Sequence, residues 1–198
     1  MPGGRDGDMS QRESGYERKE RDLYETPEWV TEALIPHIAN WVTSVWEPAA
    51  GNRRMANVLA DWVADANLYA SDIEPSKDVF AGDFLEYRIP PVVGEYTQAI
   101  ITNPPYDHAQ EFCEHALRLM EPIGGFVAML LRTDFDHAKS RTHLFRDCPA
   151  FAKKLVLMKR IVWFVEDNGK PKASPSFNHA WYIWNWWHEG PATLAYGP

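Results

Sequence analysis

Cysteine is scarce in this chain of 198 residues, which contains only Cys113 and Cys148. The two cysteines follow no paired spacing, so a disulfide framework is excluded as the basis of the fold. No apolar signal-type segment opens the chain, and no apolar run is long enough to cross a membrane. We therefore expect a cytoplasmic protein with reduced thiols and no membrane association.

Metal-ligand patterns are also missing from the sequence. The histidines His108, His115, His137 and His143 show no close pairing with one another or with Cys148. Scattered histidines on helices are more often surface residues than zinc ligands. We therefore expect no metal site.

Positive charge is in deficit overall but is unevenly placed. The chain contains 20 lysine and arginine residues against 28 aspartate and glutamate residues. From Arg132 to Lys172, however, basic residues outnumber acidic ones by five. Such a locally basic segment can contact nucleic-acid phosphates, although a solvated helix face explains it equally well.

Apolar residues are almost absent from the first 22 residues. Such a segment cannot bury enough apolar surface to offset the entropy lost on ordering. We expect a disordered polar tail over residues 1–22. The remaining residues, 23–198, are numerous enough for one domain with a sizeable core.

Apolar clusters alternate with amphipathic stretches after the tail, which is typical of βαβ units. The first helix is predicted to begin with Thr26 as N-cap and Pro27 at the first helical position, and to extend to about residue 39. The other predicted helices cover residues 52–64 and 107–120. The predicted strands cover residues 43–47, 67–71, 78–81, 98–102, 126–131, 154–164 and 179–187.

Crossovers connect the first five predicted strands, and a turn-rich link joins the last two as an antiparallel hairpin. The predicted fold class is therefore α/β, a doubly wound Rossmann-like sheet of about seven strands, mostly parallel, with a C-terminal antiparallel hairpin. We expect most of the aromatic residues from Trp181 to Trp187 to lie in its core.

Acidic or amide residues follow most of the predicted strands, at the edge where open parallel sheets bind ligands. Asp72 comes 21 residues after Gly51. Nucleotide-binding α/β units place an acid for ribose hydroxyls at about this spacing. Acids are also common turn formers after strands, so Asp72 alone leaves both interpretations open.

The segment Asn103-Pro104-Pro105-Tyr106 ends the fourth predicted strand. An asparagine oxygen and a carbonyl next to proline can accept both hydrogens of a planar amino group, while the tyrosine ring stacks on the attached base or amide. Accepting both hydrogens would expose the nitrogen lone pair. A rigid turn with a core tyrosine is the alternative interpretation.

These motifs resemble those of class I S-adenosylmethionine-dependent methyltransferases that methylate amino groups, and the resemblance covers most of residues 23–187. Within that group the chain is most similar to small phage and prophage N6-adenine DNA methyltransferase-like proteins. Enzymes acting on RNA adenine or on protein glutamine share the Asn-Pro-Pro-Tyr motif. The polymer that carries the amino group therefore stays open, with DNA favoured.

The resemblance implies S-adenosylmethionine as cofactor and assigns a role to each matching position. Tyr24, Thr26 and Pro27 would cover its methionine end, the loop from Glu47 to Gly51 would approach its amino acid part, Asp72 would bind its ribose, and Asp83 and Phe84 its adenine. The implied cofactor-binding residues are Tyr24, Thr26, Pro27, Glu47, Pro48, Ala49, Gly51, Asp72, Ile73, Asp83, Phe84 and Asn103. The implied catalytic residues are Asn103, Pro104, Pro105 and Tyr106.

The basic segment supplies the candidate nucleic-acid contacts, which are Arg132, Lys139, Arg141, Lys170 and Lys172. The catalytic domain uses nearly all of the chain, which leaves little room for a separate target-recognition domain. We therefore expect low sequence specificity, or recognition supplied by a second copy of the chain or a specificity partner.

One position departs from the family pattern. Relatives usually read Glu-Pro-x-x-Gly-x-Gly after the first strand, and here Arg53 replaces the last glycine. Glycine readily adopts positive φ angles and allows close backbone approach. Either Arg53 begins the helix and swings outward, which we favour, or it weakens cofactor binding and leaves a methyltransferase fold that acts as a binding module.

Overall fold

The structure, a computed structural model, describes residues 25–163 and 177–198. Eight strands form one mixed sheet in the order β3-β2-β1-β4-β5-β7-β6-β8. The strands are β1 (Val45–Glu47), β2 (Leu68–Asp72), β3 (Phe80–Ala81), β4 (Ala99–Thr102), β5 (Phe126–Arg132), β6 (Phe151–Leu157), β7 (His179–Asn185) and β8 (Thr193–Gly197). The α-helices are α1 (Glu28–Leu34), α2 (Arg54–Val63) and α3 (Ala109–Met120).

Short 3₁₀ helices complete the secondary structure of the described residues. They cover Ile35–His37, Asp65–Asn67, Phe84–Glu86, Tyr106–His108, Glu121–Ile123, Phe135–His137 and Lys139–Leu144.

The strands from β3 through β2, β1 and β4 to β5 run parallel. Strand β7 is antiparallel to both of its neighbours, β5 and β6, so β6 runs in the direction of the first five strands. The chain order reverses between β1 and β4, which is the switch point where open sheets bind ligands. The predicted α/β sheet, mostly parallel with an antiparallel pair near the C-terminus, is confirmed, with eight strands instead of about seven.

Both faces of the sheet are covered, which explains why its central strands are continuous apolar runs. Helices α1 and α2 pack on one face, where Trp181 lies, and α3 packs on the other, where Tyr182 and Trp184 lie. All three aromatic side chains are fully buried. The prediction that most aromatic residues of this strand are core is confirmed for them, whereas Trp187 is 70% exposed.

Several strand boundaries differ from the prediction: β1 and β3 each begin two residues later than predicted, and β7 ends two residues earlier. Strand β6 begins at Phe151, three residues before the predicted start, and ends at Leu157. A register shift between Phe151 and Lys153 interrupts the pairing of this strand with β7 at its start. Strand β8 was not predicted, because it is an edge strand whose Leu194 and Tyr196 are exposed and form no continuous apolar run.

The first helix is shorter than predicted. Its N-cap is Pro27, without a side-chain cap, and it ends at Leu34. The 3₁₀ helix that follows contains Pro36, which has no N–H to donate to a continuing α-helix. Because the N-cap is Pro27, the prediction of Thr26 as N-cap is wrong.

Several predictions concern residues outside the described ranges. They are the polar tail over residues 1–22, the cofactor contact Tyr24 and the basic residues Lys170 and Lys172. Within the described ranges, no helix is both long and apolar enough to cross a lipid bilayer. The same ranges contain no group of three histidine, cysteine, aspartate or glutamate side chains that could hold a metal ion.

Candidate active site

The candidate site is the carboxyl edge of the parallel strands. The segments that follow β1, β2, β4 and β5 meet there, because parallel strands all end at the same edge. Strand β7 runs the other way, so its first residue, His179, lies at this edge opposite Arg132, the last residue of β5. The edge therefore combines residues that the sequence separates by more than a hundred positions.

A buried carboxyl group ends β1. Glu47 is 2% exposed, and within the described residues its Oε2 atom has no hydrogen-bond partner. Burial raises the pKa of this carboxyl well above its usual range, an effect that the charge of Arg53 opposes and that of Asp72 reinforces. Pro48 behind it is buried and Ala49 is partly buried. The end of β1 can therefore accept a further hydrogen bond from a ligand.

The loop after β1 is tied to β2 by backbone contacts. The Ala50 N–H donates to the carbonyl of Ser71 at 3.0 Å, and the Gly51 N–H donates to Asp72 Oδ2 at 2.9 Å. The Ser76 hydroxyl donates to the Gly51 carbonyl at 2.6 Å. These contacts hold the loop backbone against the end of β2.

Arg53 has a backbone conformation that favours glycine. Gly51 has φ 48° and Arg53 has φ 63°, both in the left-handed region. The Arg53 guanidinium donates to the Asp78 carbonyl at 2.6 Å and to Asp65 Oδ1 at 3.0 Å. Arg53 is the N-cap of α2, so it begins the helix as expected. The contacts with Asp78 and Asp65 hold its guanidinium in place.

Asp72 ends β2 with both carboxylate oxygens in use. Oδ2 accepts from Gly51, and Oδ1 accepts from the Glu74 N–H at 2.9 Å. Burial raises the pKa of Asp72, and backbone hydrogen bonds from Gly51 and Ile73 oppose that rise. Each carboxylate oxygen has two lone pairs, so Asp72 retains acceptor capacity for hydroxyl groups. Ile73 beside it is 68% exposed.

Asp83 and Phe84 begin the 3₁₀ helix that follows β3. Asp83 is its N-cap, and Oδ1 accepts from the Leu85 N–H at 2.9 Å. The Phe84 ring is 2% exposed and packs against Trp46 and Phe112, with centroids 5.1 and 4.7 Å away. The predicted contact between the Phe84 ring and an adenine would therefore require the ring to leave the core.

The segment Asn103-Pro104-Pro105 carries the chain out of β4 to the edge. Pro104 is buried. Asn103 Nδ2 donates to Thr26 Oγ1 at 3.2 Å, which places the segment before α1 against the end of β4. The hydroxyl that was predicted to cap a helix thus contacts the predicted catalytic asparagine.

Tyr106 belongs to an aromatic group at the same edge. Its hydroxyl lies 3.0 Å from Nε2 of His179. The Trp163 ring meets the His179 ring edge-on with centroids 5.1 Å apart, and the Tyr106 ring at 6.5 Å. His179 and Trp163 were not predicted as site residues, because nothing in the sequence around them indicates that they lie next to Tyr106.

His179 is buried and uncharged at neutral pH. Its side chain is 2% exposed, and burial lowers its pKa to about 4. The charge of Arg132 lowers this pKa further, whereas Asp134 and the backbone at Phe177 oppose the change. A neutral imidazole has one acceptor nitrogen and one donor nitrogen.

Two of the predicted nucleic-acid residues lie at or near the end of β5 with solvent access. Arg132 is paired with Asp134 through two hydrogen bonds, at 2.6 and 3.1 Å, and its guanidinium stacks 3.9 Å above the Phe177 ring. Its side chain is still 42% exposed. Lys139 is exposed on the 3₁₀ helix Lys139–Leu144.

Arg141 is held by protein groups instead. Its guanidinium stacks 3.9 Å above the Phe135 ring, donates to the Phe135 carbonyl at 2.8 Å and contacts Gln110 at 3.3 Å. These contacts tie the 3₁₀ segment after β5 to α3, so the geometry assigns Arg141 a structural part. The structure thus separates Arg141 from Arg132 and Lys139, which the charge count had grouped together.

Comparisons with known proteins agree with this architecture. No family model matches the chain, and no curated protein sequence matches it. Several solved structures, however, match the fold of this chain. A Listeria monocytogenes protein assigned as a class I S-adenosylmethionine-dependent methyltransferase matches 88% of this chain with a TM-score of 0.57 and 13% identity. The chain spans 66% of that protein's length.

Two further structures match to a similar extent. A Pyrococcus horikoshii protein assigned as an RNA methyltransferase matches 83% of this chain and 87% of its own, with a TM-score of 0.59 and 14% identity. A Thermotoga maritima S-adenosylmethionine-dependent O-methyltransferase matches 82% of this chain and 66% of its own, with a TM-score of 0.51 and 11% identity. The fold is that of the class I S-adenosylmethionine-dependent methyltransferases.

This methyltransferase fold implies S-adenosylmethionine, and the residues at the edge fit that molecule. The Oε2 atom of Glu47 offers an acceptor to an ammonium group. The positive φ of Gly51 allows close approach of a ligand to the loop backbone. Asp72 offers acceptors to ribose hydroxyls, and Ile73 beside it offers an exposed apolar side chain.

Proposed function

We propose that this protein transfers a methyl group from S-adenosylmethionine to an amino group, and that the acceptor is N6 of adenine in DNA. The observation that carries the proposal is the position of Asn103, which follows β4 at the switch edge of a methyltransferase fold and donates to Thr26. In this position the segment that we propose for the amino group would lie beside the loops that we propose for the cofactor.

The cofactor would lie along the ends of β1, β2 and β3. Glu47 and the backbone around Gly51 would bind its amino acid part, with Thr26 and Pro27 covering it. Asp72 would accept hydrogen bonds from the ribose, and Asp83 and Ile73 would bind the adenine. When bound, S-adenosylmethionine supplies an electrophilic methyl group on a sulfonium that leaves without needing a proton.

The acceptor amino group would lie at the end of β4. The Asn103 amide oxygen and the Pro104 carbonyl would accept its two hydrogens, which exposes the nitrogen lone pair to the methyl group. The Tyr106 ring would stack on the base and replace part of the stacking that is lost when a base leaves the duplex. Positioning, without a strong general base, would therefore supply most of the catalysis.

DNA would approach along the basic residues after β5. Arg132 and Lys139 have exposed side chains there, which suits phosphate contacts. RNA is the second candidate, because the Pyrococcus horikoshii neighbour is assigned as an RNA methyltransferase. A neighbour from Haloferax volcanii, a methyltransferase with a TM-score of 0.50, was solved with the activator Trm112, which supports a search for a partner.

The test is methylation of unmethylated duplex DNA with S-adenosylmethionine, followed by nuclease digestion and mass spectrometry of the nucleosides. We expect N6-methyldeoxyadenosine with the wild type and at least a hundredfold less with Asn103→Ala. The matched control is Asn40→Ala, which changes an exposed asparagine between the first 3₁₀ helix and β1. A parallel reaction uses RNA from a strain without adenine methylation.

Each outcome decides between the candidates. Methylated RNA without methylated DNA transfers the proposal to RNA adenine. Full methylation by Asn103→Ala would show that the acceptor site is elsewhere. If no nucleic acid is methylated although the cofactor raises the thermal midpoint, protein glutamine becomes the acceptor to test. No midpoint shift with the cofactor would leave a binding module.

A further inference from the structure

A buried histidine contacts the tyrosine of the acceptor motif. His179 is the first residue of β7 and lies 73 positions from Tyr106 along the chain. The Tyr106 hydroxyl is 3.0 Å from its Nε2 atom, a normal hydrogen-bond distance. Because His179 belongs to a strand that pairs on both sides, it provides a rigid partner for a side chain on a short 3₁₀ turn.

One further ring packs against both partners of this contact. Trp163 packs edge-on against His179 and against Tyr106, with interplanar angles of 80° and 83°. The Tyr106 and His179 rings are inclined by 31° with centroids 6.2 Å apart. The ring plane of Tyr106 is therefore set by a hydrogen bond at its tip and by an aromatic ring at its side.

The groups around His179 keep its imidazole neutral. Arg132 lies opposite it on β5 and is itself paired with Asp134. Burial and the Arg132 charge lower the pKa of His179 and keep its imidazole neutral at physiological pH. A neutral Nε2 atom either accepts from the Tyr106 hydroxyl or donates to it, depending on which ring nitrogen carries the proton.

We propose that His179 is a positioning residue for Tyr106: the hydrogen bond between its Nε2 atom and the Tyr106 hydroxyl fixes the ring plane on which the target base stacks. The proposal rests on the proposed function of the Asn103-Pro104-Pro105-Tyr106 segment. A ring that is already fixed loses less conformational entropy when the base binds. The effect should therefore appear with the nucleic acid and not with the cofactor.

The kinetic test compares Tyr106→Phe, His179→Gln and the double variant with the wild type. We expect each single variant to lower kcat/KM for DNA about tenfold. The double variant should be no worse than either single variant, because both remove the same hydrogen bond. The Kd for S-adenosylmethionine should stay within about twofold of the wild-type value. His137→Gln, at an exposed histidine, is the matched control.

Two results would overturn the proposal. One is wild-type kinetics for Tyr106→Phe, which keeps the ring and removes only the hydroxyl. The other is a double variant in which the two losses multiply, because independent effects imply no shared contact. Tyr106→Phe keeps the aromatic ring, so the kinetics of this variant test the proposal even if His179→Gln folds poorly.

A second measurement does not depend on activity. The ¹⁵N resonance of His179 Nε2 should shift on Tyr106→Phe, because the atom loses its hydrogen-bond partner, and an unchanged resonance contradicts the proposal. A protein that methylates no acceptor but shows this shift would contradict the proposed function and leave the contact in place. The two failures are thus distinguishable.

Discussion

The clearest stability prediction concerns Arg53, an arginine in a conformation that favours glycine. Its φ of 63° and ψ of 15° lie in the left-handed region. A residue with a side chain is disfavoured there by about 1–2 kcal/mol. Replacing Arg53 by glycine removes this strain together with the guanidinium contacts, whereas replacing it by alanine removes the contacts and keeps the strain.

The contacts of Arg53 set the size of the loss. Its hydrogen bond to the Asp78 carbonyl is 2.6 Å long, and a hydrogen bond from a charged donor contributes about 1.5–3 kcal/mol. The pair with Asp65 adds little, because the Asp65 side chain is 80% exposed. We expect Arg53→Ala to lower the free energy of unfolding by about 2 kcal/mol, and Arg53→Gly by about 1 kcal/mol.

Thermal and urea unfolding of the wild type, Arg53→Ala and Arg53→Gly measure this difference without any ligand. For a domain of this size, 1 kcal/mol corresponds to about 2–4 °C in Tm, so the glycine variant should melt that much above the alanine variant. Equal midpoints, or a more stable alanine variant, would refute the reasoning, because a positive φ and a helix N-cap position both favour glycine over alanine.

The remaining predictions concern pH and the cofactor. The folded pKa of His179, about 4, lies below the unfolded value, so the unfolded chain binds more protons between pH 4 and 6.5 and stability falls as the pH falls through this range. Between pH 7.5 and pH 5, the free energy of unfolding measured with urea should fall by about 2 kcal/mol less in His179→Gln than in the wild type. Equal decreases in the two proteins would contradict a buried neutral imidazole. Asp72→Asn should weaken S-adenosylmethionine binding at least about tenfold by calorimetry, because it removes an acceptor for ribose hydroxyls. Asp61→Asn, at an exposed carboxylate on α2, should leave the affinity unchanged, and similar losses in both variants would count against Asp72 as the ribose ligand.

Features that depend on residues close in the chain were the ones best predicted from the sequence. The continuous apolar runs predicted β4 and β5 to within one residue at each end, because strands that are buried on both faces need such runs. The two prolines after Asn103 predicted the end of β4, since proline cannot continue a central strand. The order of apolar clusters and turns was sufficient for the α/β fold class.

Features that depend on a contact with a residue distant in the chain were not predicted from the sequence. Strand β8 has exposed Leu194 and Tyr196 and depends on pairing with β6 for its hydrogen bonds. Arg141 was grouped with the basic residues by charge, although its guanidinium contacts Phe135 and Gln110. Nothing local distinguishes a cation that faces solvent from one that joins two parts of the fold.

The sequence alone determined most of the strands, their polar ends and the Asn-Pro-Pro-Tyr segment, because periodicity and turn chemistry act between residues close in the chain. Only the tertiary structure decided which of these groups meet. Asn103 reaches Thr26 across 77 positions, and Tyr106 reaches His179 across 73. Such contacts follow from strand order and register, which are set by the packing of the whole sheet and not by any one segment.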